Sequence, residues 1–400
     1  MTTASDEGKS PPGSPKEGAL ASQLRRGDLG FLPVIFALVA ISVLFQGTND
    51  AFLTPRNLSN LSLQLGVLGV MTLGLVPVLL IGEIDLSTGS VLGLCASVMA
   101  VLSVRFGQPT AAAIGAAVAV GAVIGLVQGL WIVVVQVPSF IVTLTGLLVW
   151  QGAQRLVLGD QSGELEIDDP FIQGVASTYM PWWLAAGTVI VIAGASALAC
   201  VLLRRKRGSL RGNLDRCASA AAYPIVAAAV VLILQRYFGV PYLLLLLAAL
   251  TVALTLLIER TPFGVHVYAV GGNAEAARRA GVNVAAVRVA VFTICSALAA
   301  LAGVVSASRQ FAVDSSTGGG NLVLDAIAAA VIGGTSVFAG RGRIVGGLLG
   351  AVVIASVANG LDLLGQSADV KTIVTGLILL AAVSVDTLAR RRVSATVPGV

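Results

Sequence analysis

An all-α, polytopic transmembrane bundle is the fold this sequence predicts, on three grounds. Of its 400 residues, 56% are hydrophobic and 11% charged, with a mean hydropathy of +0.92; a soluble chain carries roughly 25% charged residues. The apolar residues fall in long runs, and about 20 such residues in a helix cross a bilayer. The 46 glycines suit helices that touch backbone to backbone in lipid, where small residues allow that closeness.

Along the chain, residues 1–28 are rich in Ser, Pro, Gly, Lys, Glu and Asp and read as a disordered cytoplasmic tail. The first apolar run lies too far from the start, with no Ala-x-Ala pattern after it, to be a secretory signal. Residues 29–390 form the transmembrane domain and 391–400 a cytoplasmic tail. Twelve spans are expected, near 30–46, 58–81, 91–106, 110–135, 138–158, 181–203, 217–235, 240–258, 289–307, 322–338, 344–364 and 370–387. Ten is the fallback if two do not cross. The runs 91–106 and 322–338 are short enough to be broken or re-entrant helices.

Positive charge orients the chain, because cytoplasmic connections are enriched in Lys and Arg. With both termini inside, the inner segments are the tail, 204–216, 259–288, 340–343 and the C-terminus, and they hold 19 of the 25 basic residues. The connection 159–180 has Asp160, Glu164, Glu166, Asp168 and Asp169 and no basic residue, as an outer loop would. A net charge of +5 spread over loops fits membrane topology rather than nucleic acid.

Catalytic chemistry finds little material. Cys95, Cys200, Cys217 and Cys295 lie in or beside apolar runs without metal-ligand spacing and read as small core residues. His266 is the only histidine, so no His-based metal site is expected. Of Lys9, Lys16, Lys206 and Lys371 only Lys9 follows a glycine, and Thr3 stands where the first glycine of a phosphate-binding loop is required. No cofactor is expected in this chain, and energy for uphill movement must come from a gradient or a partner.

Two polar interruptions stand out instead. Gly82-Glu83-Ile84-Asp85-Leu86-Ser87-Thr88-Gly89-Ser90 places two carboxylates beside hydrocarbon, which is costly unless they are paired or wet. Asp85 or Ser87 either caps the helix that follows or, with Glu83, meets solute. Gly333-Gly334-Thr335-Ser336-Val337-Phe338-Ala339-Gly340-Arg341-Gly342-Arg343 is either a broken helix or an ordinary inner loop anchored by its arginines. Gly-rich breaks in both halves can mark a pathway between repeats, although no duplication is evident. Asp325 also falls in an apolar stretch, and Asp362 lies near an outer end, where it can snorkel to water.

Residues 259–288 are a polar, Gly-punctuated connection between two spans. A turn at Thr261-Pro262-Phe263-Gly264 and a second at Gly271-Gly272-Asn273 precede a short helix through Glu275, Ala276, Arg278 and Arg279, ending at Gly281. Interfacial helices need bulky apolar anchors, and 274–287 is mostly alanine. A small, rigid knob fits a protein cleft better than a lipid surface.

At these three segments the chain resembles the permease subunits of bacterial monosaccharide ABC importers, the branch serving ribose, galactose and xylose, over roughly residues 30–390. The Gly-Glu-Ile-Asp form, the stretch Pro138–Gly152 and the spans near 217–258 are most similar to xylose-type members. The resemblance implies a homodimeric pore embedded in membrane lipid. It implies a cytoplasmic ATPase, using ATP and Mg, docked on the coupling segment (Glu259, Arg260, Thr261, Phe263, Gly264, Gly271, Gly272, Asn273, Glu275, Ala276, Arg278, Arg279, Gly281). An extracytoplasmic sugar-binding protein would dock outside. Glu83, Asp85, Ser87, Asp325, Gly333, Gly334 and Thr335 are the expected pathway residues. Val265 departs from the family, which usually has Arg there, and Thr88 replaces a more common Val. A proton-coupled sugar transporter is the rival reading; a membrane-embedded enzyme is poorer, for want of a nucleophile–base pair.

Overall fold

The computed structural model describes residues 32–159, 164–205, 224–336 and 340–395. The tail 1–28, Asp160, the basic stretch from Lys206 to Arg216, Cys217, residues 337–339 and the end of the C-terminal tail lie outside them. The helices run α1 Leu32–Thr48, α2 Pro55–Leu80, α3 Thr88–Ala100 with a π-helical turn Val101–Arg105, α4 Thr110–Val135, α5 Ser139–Leu158, α6 Pro170–Ser177, α7 Trp182–Arg205 and α8 Pro224–Leu234. They continue as α9 Tyr242–Arg260, α10 Pro262–Gly272, α11 Ala274–Arg279, α12 Val284–Gln310, α13 Leu322–Ile332, α14 Ile344–Leu363 and α15 Ala368–Ala395. Two-residue strands make two antiparallel pairs: β1 Leu165–Glu166 with β4 Ala312–Val313, and β2 Tyr179–Met180 with β3 Val240–Pro241.

Each of the twelve expected runs holds a helix. Among the described residues seven of them (α2, α3 with its π turn, α4, α5, α9, α12 and α14) are long and apolar enough to cross a bilayer, so the chain is a multi-pass membrane protein. The two short runs resolve differently. The run near 91–106 is unbroken, and its interruption precedes it. The run near 322–338 stops at Ile332, and 11 residues at about 1.5 Å each reach only half of a ~30 Å hydrocarbon layer. It is a half-helix, ended by Gly333 and Gly334. Pro262–Gly264 is likewise helix rather than turn, with Thr261 as its extended N-cap, because Pro262 takes the first helical position, where its fixed φ is already right and its missing N–H costs nothing.

Burial places α2 at the centre: 89% of its apolar window is buried, against 22% for α5 at the exposed edge. Glycines let main chains close on one another. Gly121, Gly125 and Gly129 form one stripe of α4, and a Cβ on them would fall within 2.6, 2.3 and 2.8 Å of Ser296, Phe292 and Val289 on antiparallel α12.

An inverted repeat, which sequence comparison of the halves did not suggest, organises the core. Asp85-Leu-Ser87-Thr88-Gly89 recurs as Asp314-Ser-Ser316-Thr317-Gly318, 229 positions on. The same offset carries α2 onto α12, α4 onto α14 and α5 onto α15, and it carries left-handed Gly82 (φ 78) onto left-handed Phe311 (φ 56). Helices α2 and α12 run antiparallel, since Gly74 packs on Cys295 and Leu298 while Glu83 pairs with Arg288. The second unit is therefore flipped relative to the first. The two meet at equivalent glycines. A Cβ on Gly89 would lie 2.5 Å from Gly318 O, and one on Gly318 would lie 2.2 Å from Gly89 O. A pseudo-two-fold axis passes through that contact, the arrangement that puts transport sites at a repeat interface.

Candidate functional site

Two neighbourhoods matter, and both grow from the interruption after α2. The first is a joint. Gly271, near the end of α10, sits so close that a Cβ would be 1.8 Å from Leu80 O and 2.9 Å from Gly340 Cα. Gly340 (φ 56) in turn meets the Gly271–Gly272 peptide, and Tyr268 Oη donates to Gly342 O at 2.9 Å. Two of the three segments singled out by sequence thus touch main chain to main chain, and they meet the end of α2 just before the third. Gly264 serves the same closeness, with Ile258 O 1.7 Å from where a Cβ would be.

Beyond the joint the connection is exposed. Gly272 faces open space, and Asn273, Glu275, Ala276, Arg278, Arg279 and Gly281 are all exposed. Helix α11 holds its shape with local devices. Asn273 Oδ1 accepts from Ala276 N at 2.9 Å, capping its start. Left-handed Gly281 (φ 88) ends it, with Gly281 N donating to Arg278 O and Val282 N to Ala277 O, both at 3.0 Å. Glu275 pairs with Arg278 and Arg279 at 3.6 and 3.3 Å; such exposed pairs contribute only tenths of a kcal/mol. A depression of about 380 Å³ lies alongside, lined by Glu259, Arg260, Thr261, Pro262, Val265 and His266. Phe263 is half-buried. Tyr268, half-buried beneath, has its hydroxyl pushed above the ordinary range by burial and by Glu259.

The second neighbourhood is the turn before α3. Glu83 Oε1 meets Arg288 Nη2 at 3.0 Å, so Glu83 is a structural partner of α12 rather than an open pathway group. Asp85 is fully buried and makes an Asx turn: Oδ1 accepts from Ser87 N and Ser87 Oγ at 2.9 and 2.6 Å. Neither residue caps α3 through its side chain. Gln128 Nε2 donates to Ser87 Oγ at 3.0 Å, Thr88 Oγ1 to Asp85 O at 3.2 Å and Thr143 Oγ1 to Ile84 O at 3.2 Å. Gly146 of α5 makes room, its missing Cβ replaced by Gln128 Nε2, Trp150 Nε1 and Ser87 Cβ. Two atoms around this cluster, Asp85 Oδ2 and Trp150 Nε1, are buried without a partner, a costly state that a hydroxyl-bearing solute or water relieves.

The other expected pathway residues stand apart. Asp325 lies on α13 with Oδ1 buried and unbonded. Gly333 packs against Gly346 O, Gly334 (φ 87) forms the turn, and Thr335 is buried beside Gly342. They shape the hairpin between α13 and α14 rather than joining Asp85. Sequence reading missed Gln128, Thr143, Trp150, Arg288 and Gln154. The last donates to Asp314 O and Thr317 O at 2.9 and 3.1 Å, doing for the second turn what Gln128 does for the first. An isolated glutamine inside an apolar run was the available signal. Among the described residues no group of three or more His, Cys, Asp or Glu could hold a metal.

Comparison with known proteins agrees with this geometry. The chain is 37% identical to the xylose transport system permease protein XylH of Escherichia coli K12 over 383 residues, 93% of this chain and 95% of that one. It is 35% identical to XylH of Haemophilus influenzae (90% and 98%) and 32% identical to the ribose import permease protein RbsC of Bacillus subtilis (89% and 91%). No solved structure matches it. Residues 57–383 match the family described as branched-chain amino acid transport system / permease component, and the chain belongs to that family of transport permeases.

Proposed function

We propose that this chain forms the translocation pathway of an ATP-driven importer of a monosaccharide, xylose or a similar pentose or hexose. Its relatives, permeases for xylose and ribose, favour a sugar. In this reading a separate cytoplasmic ATPase, which binds ATP and Mg, grips α10 and α11. A sugar-binding protein delivers solute at the opposite end, two copies of the chain enclose the route in the lipid bilayer, and both termini are cytoplasmic. Sugar passes the Asp85–Ser87–Gln128 cluster, and the ATPase biases the bundle between two states by binding one better than the other.

The observation that carries this is the joint at Gly271. An exposed knob is fixed by main-chain contact to Leu80, two residues before Gly82, and to Gly340. Arg288, one turn into α12, holds Glu83. A pull on α10–α11 therefore reaches the polar turn from both sides. The test is uptake of labelled xylose and ribose into proteoliposomes holding this chain with the ATPase and binding protein. Uptake that needs ATP and all three components, and that Gly272→Trp abolishes without loss of folded permease, supports the reading. Uptake driven by a proton gradient with the permease alone overturns it.

A further inference from the structure

At the end of the bundle opposite α10 and α11 lies a recess of about 370 Å³, lined by Asn57, Asn60, Gln64, Arg309, Asn359 and Asp362 among others. It joins the start of α2, the last turn of α12 and the last turn of α14. Asn57, Asn60 and Gln64 are spaced i, i+3, i+7 and so share one face of α2. They carry amides about 10 Å along the axis of α2, with Asn57 buried, Gln64 half-buried and Asn60 exposed.

Part of the set is pre-arranged. Asn57 Nδ2 donates to Asn359 Oδ1 at 2.7 Å and to Phe52 O at 2.8 Å, and both asparagines are buried. Asp362 is paired with Lys371. The side chains of Asn60 and Gln64 make no hydrogen bond among the described residues and line the recess.

We infer that this recess is a receiving site for a single neutral sugar ring, rimmed by Arg309 and Asp362. An amide presents a donor and an acceptor together, as a hydroxyl does, whereas an anion wants donors alone. The volume is at the small end of the ~300–1,000 Å³ range of ligand pockets, which suits one ring rather than an oligosaccharide or a peptide. No aromatic residue lines it, so binding is loose, as a site that must pass its ligand on requires.

The inference rests on the proposed sugar pathway, and its test separates the two. In nanodiscs, the full chain without partners is titrated with D-xylose, D-ribose and D-ribose 5-phosphate, and saturation-transfer NMR reads binding. The same variants are then assayed in the complete transporter. Saturable transfer to the free sugars, lost at least fivefold in Asn60→Leu/Gln64→Leu, with KM for uptake raised by a similar factor, is the expected result. Leu63→Trp, which fills the recess while keeping the amides, is expected to do the same and carries the test if the double variant does not fold. Transfer and KM unchanged in the variants overturn the site while leaving the pathway standing. Preference for the sugar phosphate overturns the neutral-ring assignment. Failure of wild-type ATP-dependent uptake sinks the pathway reading itself.

Discussion

The turns at Asp85 and Asp314 have the same five-residue pattern and the same local bonds. In each, the aspartate Oδ1 accepts from the N–H and Oγ–H of the serine two residues on. They differ in burial and in charge. Asp85, Ser87 and Thr88 are completely buried and leave one carboxylate oxygen unbonded. Asp314 is half-buried, Ser316 is exposed, and Ser316 Oγ also reaches the second oxygen, Asp314 Oδ2, at 2.9 Å. The position matching Glu83 is Ala312 and the one matching Arg288 is Ser59, so only the first turn carries a charge link to the helix that follows the exposed knob. Repetition supplies the scaffold, and departure from it supplies the chemistry.

The most severe way to break the comparison is at the glycines the two turns share. Gly89→Val and Gly318→Val each drive a side chain into opposing main chain, and overpacking of this kind costs on the order of 3 kcal/mol. Size-exclusion profiles and thermal unfolding are expected to show loss of folded protein. Gly320→Ala, with nothing within 4 Å of the added carbon but a φ of +70, is expected to cost only about 1 kcal/mol.

Next come the aspartates themselves. Asn accepts the same turn bonds as Asp, so Asp85→Asn and Asp314→Asn preserve shape while removing charge. Uptake is expected to fall at least tenfold, or about 1.4 kcal/mol, in the first and to stay within twofold in the second. Equal effects would mean that burial does not distinguish the two.

The charge link is tested by Arg288→Met and Glu83→Met. Each is expected to reduce uptake severalfold while ATP hydrolysis by the assembled transporter persists. The exchange Glu83→Arg/Arg288→Glu is expected to recover part of it, because the pair is only partly exposed, at 30% and 14%.

The smallest effect concerns the loop paired with the second turn. The Thr110 hydroxyl and the Phe171 and Ile172 N–H groups hold the Asp169 carboxyl below its usual range. A depressed folded value means that this stabilisation is present above the unfolded value of about 3.9 and is lost as pH falls through the folded one. The difference in unfolding midpoint between wild type and Asp169→Asn is expected to be visible at pH 6 and to vanish in acid.

Much of this architecture is legible in the sequence. Apolar runs long enough to cross lipid locate the helices because nothing else accommodates them. The end of α13 is legible only in part: the glycines from Gly333 mark a break, but the mixture of glycine with apolar residues from Ile332 to Phe338 leaves open whether the helix runs past it. Phe263 and Gly264 look like a turn until Gly264 is seen to carry α10 past Ile258 O. The repeat escapes notice because identity concentrates in four positions while the flanking helices share mainly their apolar character. Gln128 and Ser87 are 41 residues apart, and only packing brings them together. The residues that do announce themselves are those whose cost is visible locally: Asp85 in hydrocarbon, and glycines in clusters.

The fit around Gly271 has a mechanical corollary. Where three stretches of peptide touch with no side chain between them, there is no rotamer to absorb a shift and no void to compress. Such a hinge has little backlash: travel imposed on the knob passes directly to Leu80 and Gly340. Even the single methyl of Gly271→Ala would jam it, so a loss of gating there need involve no partner at all.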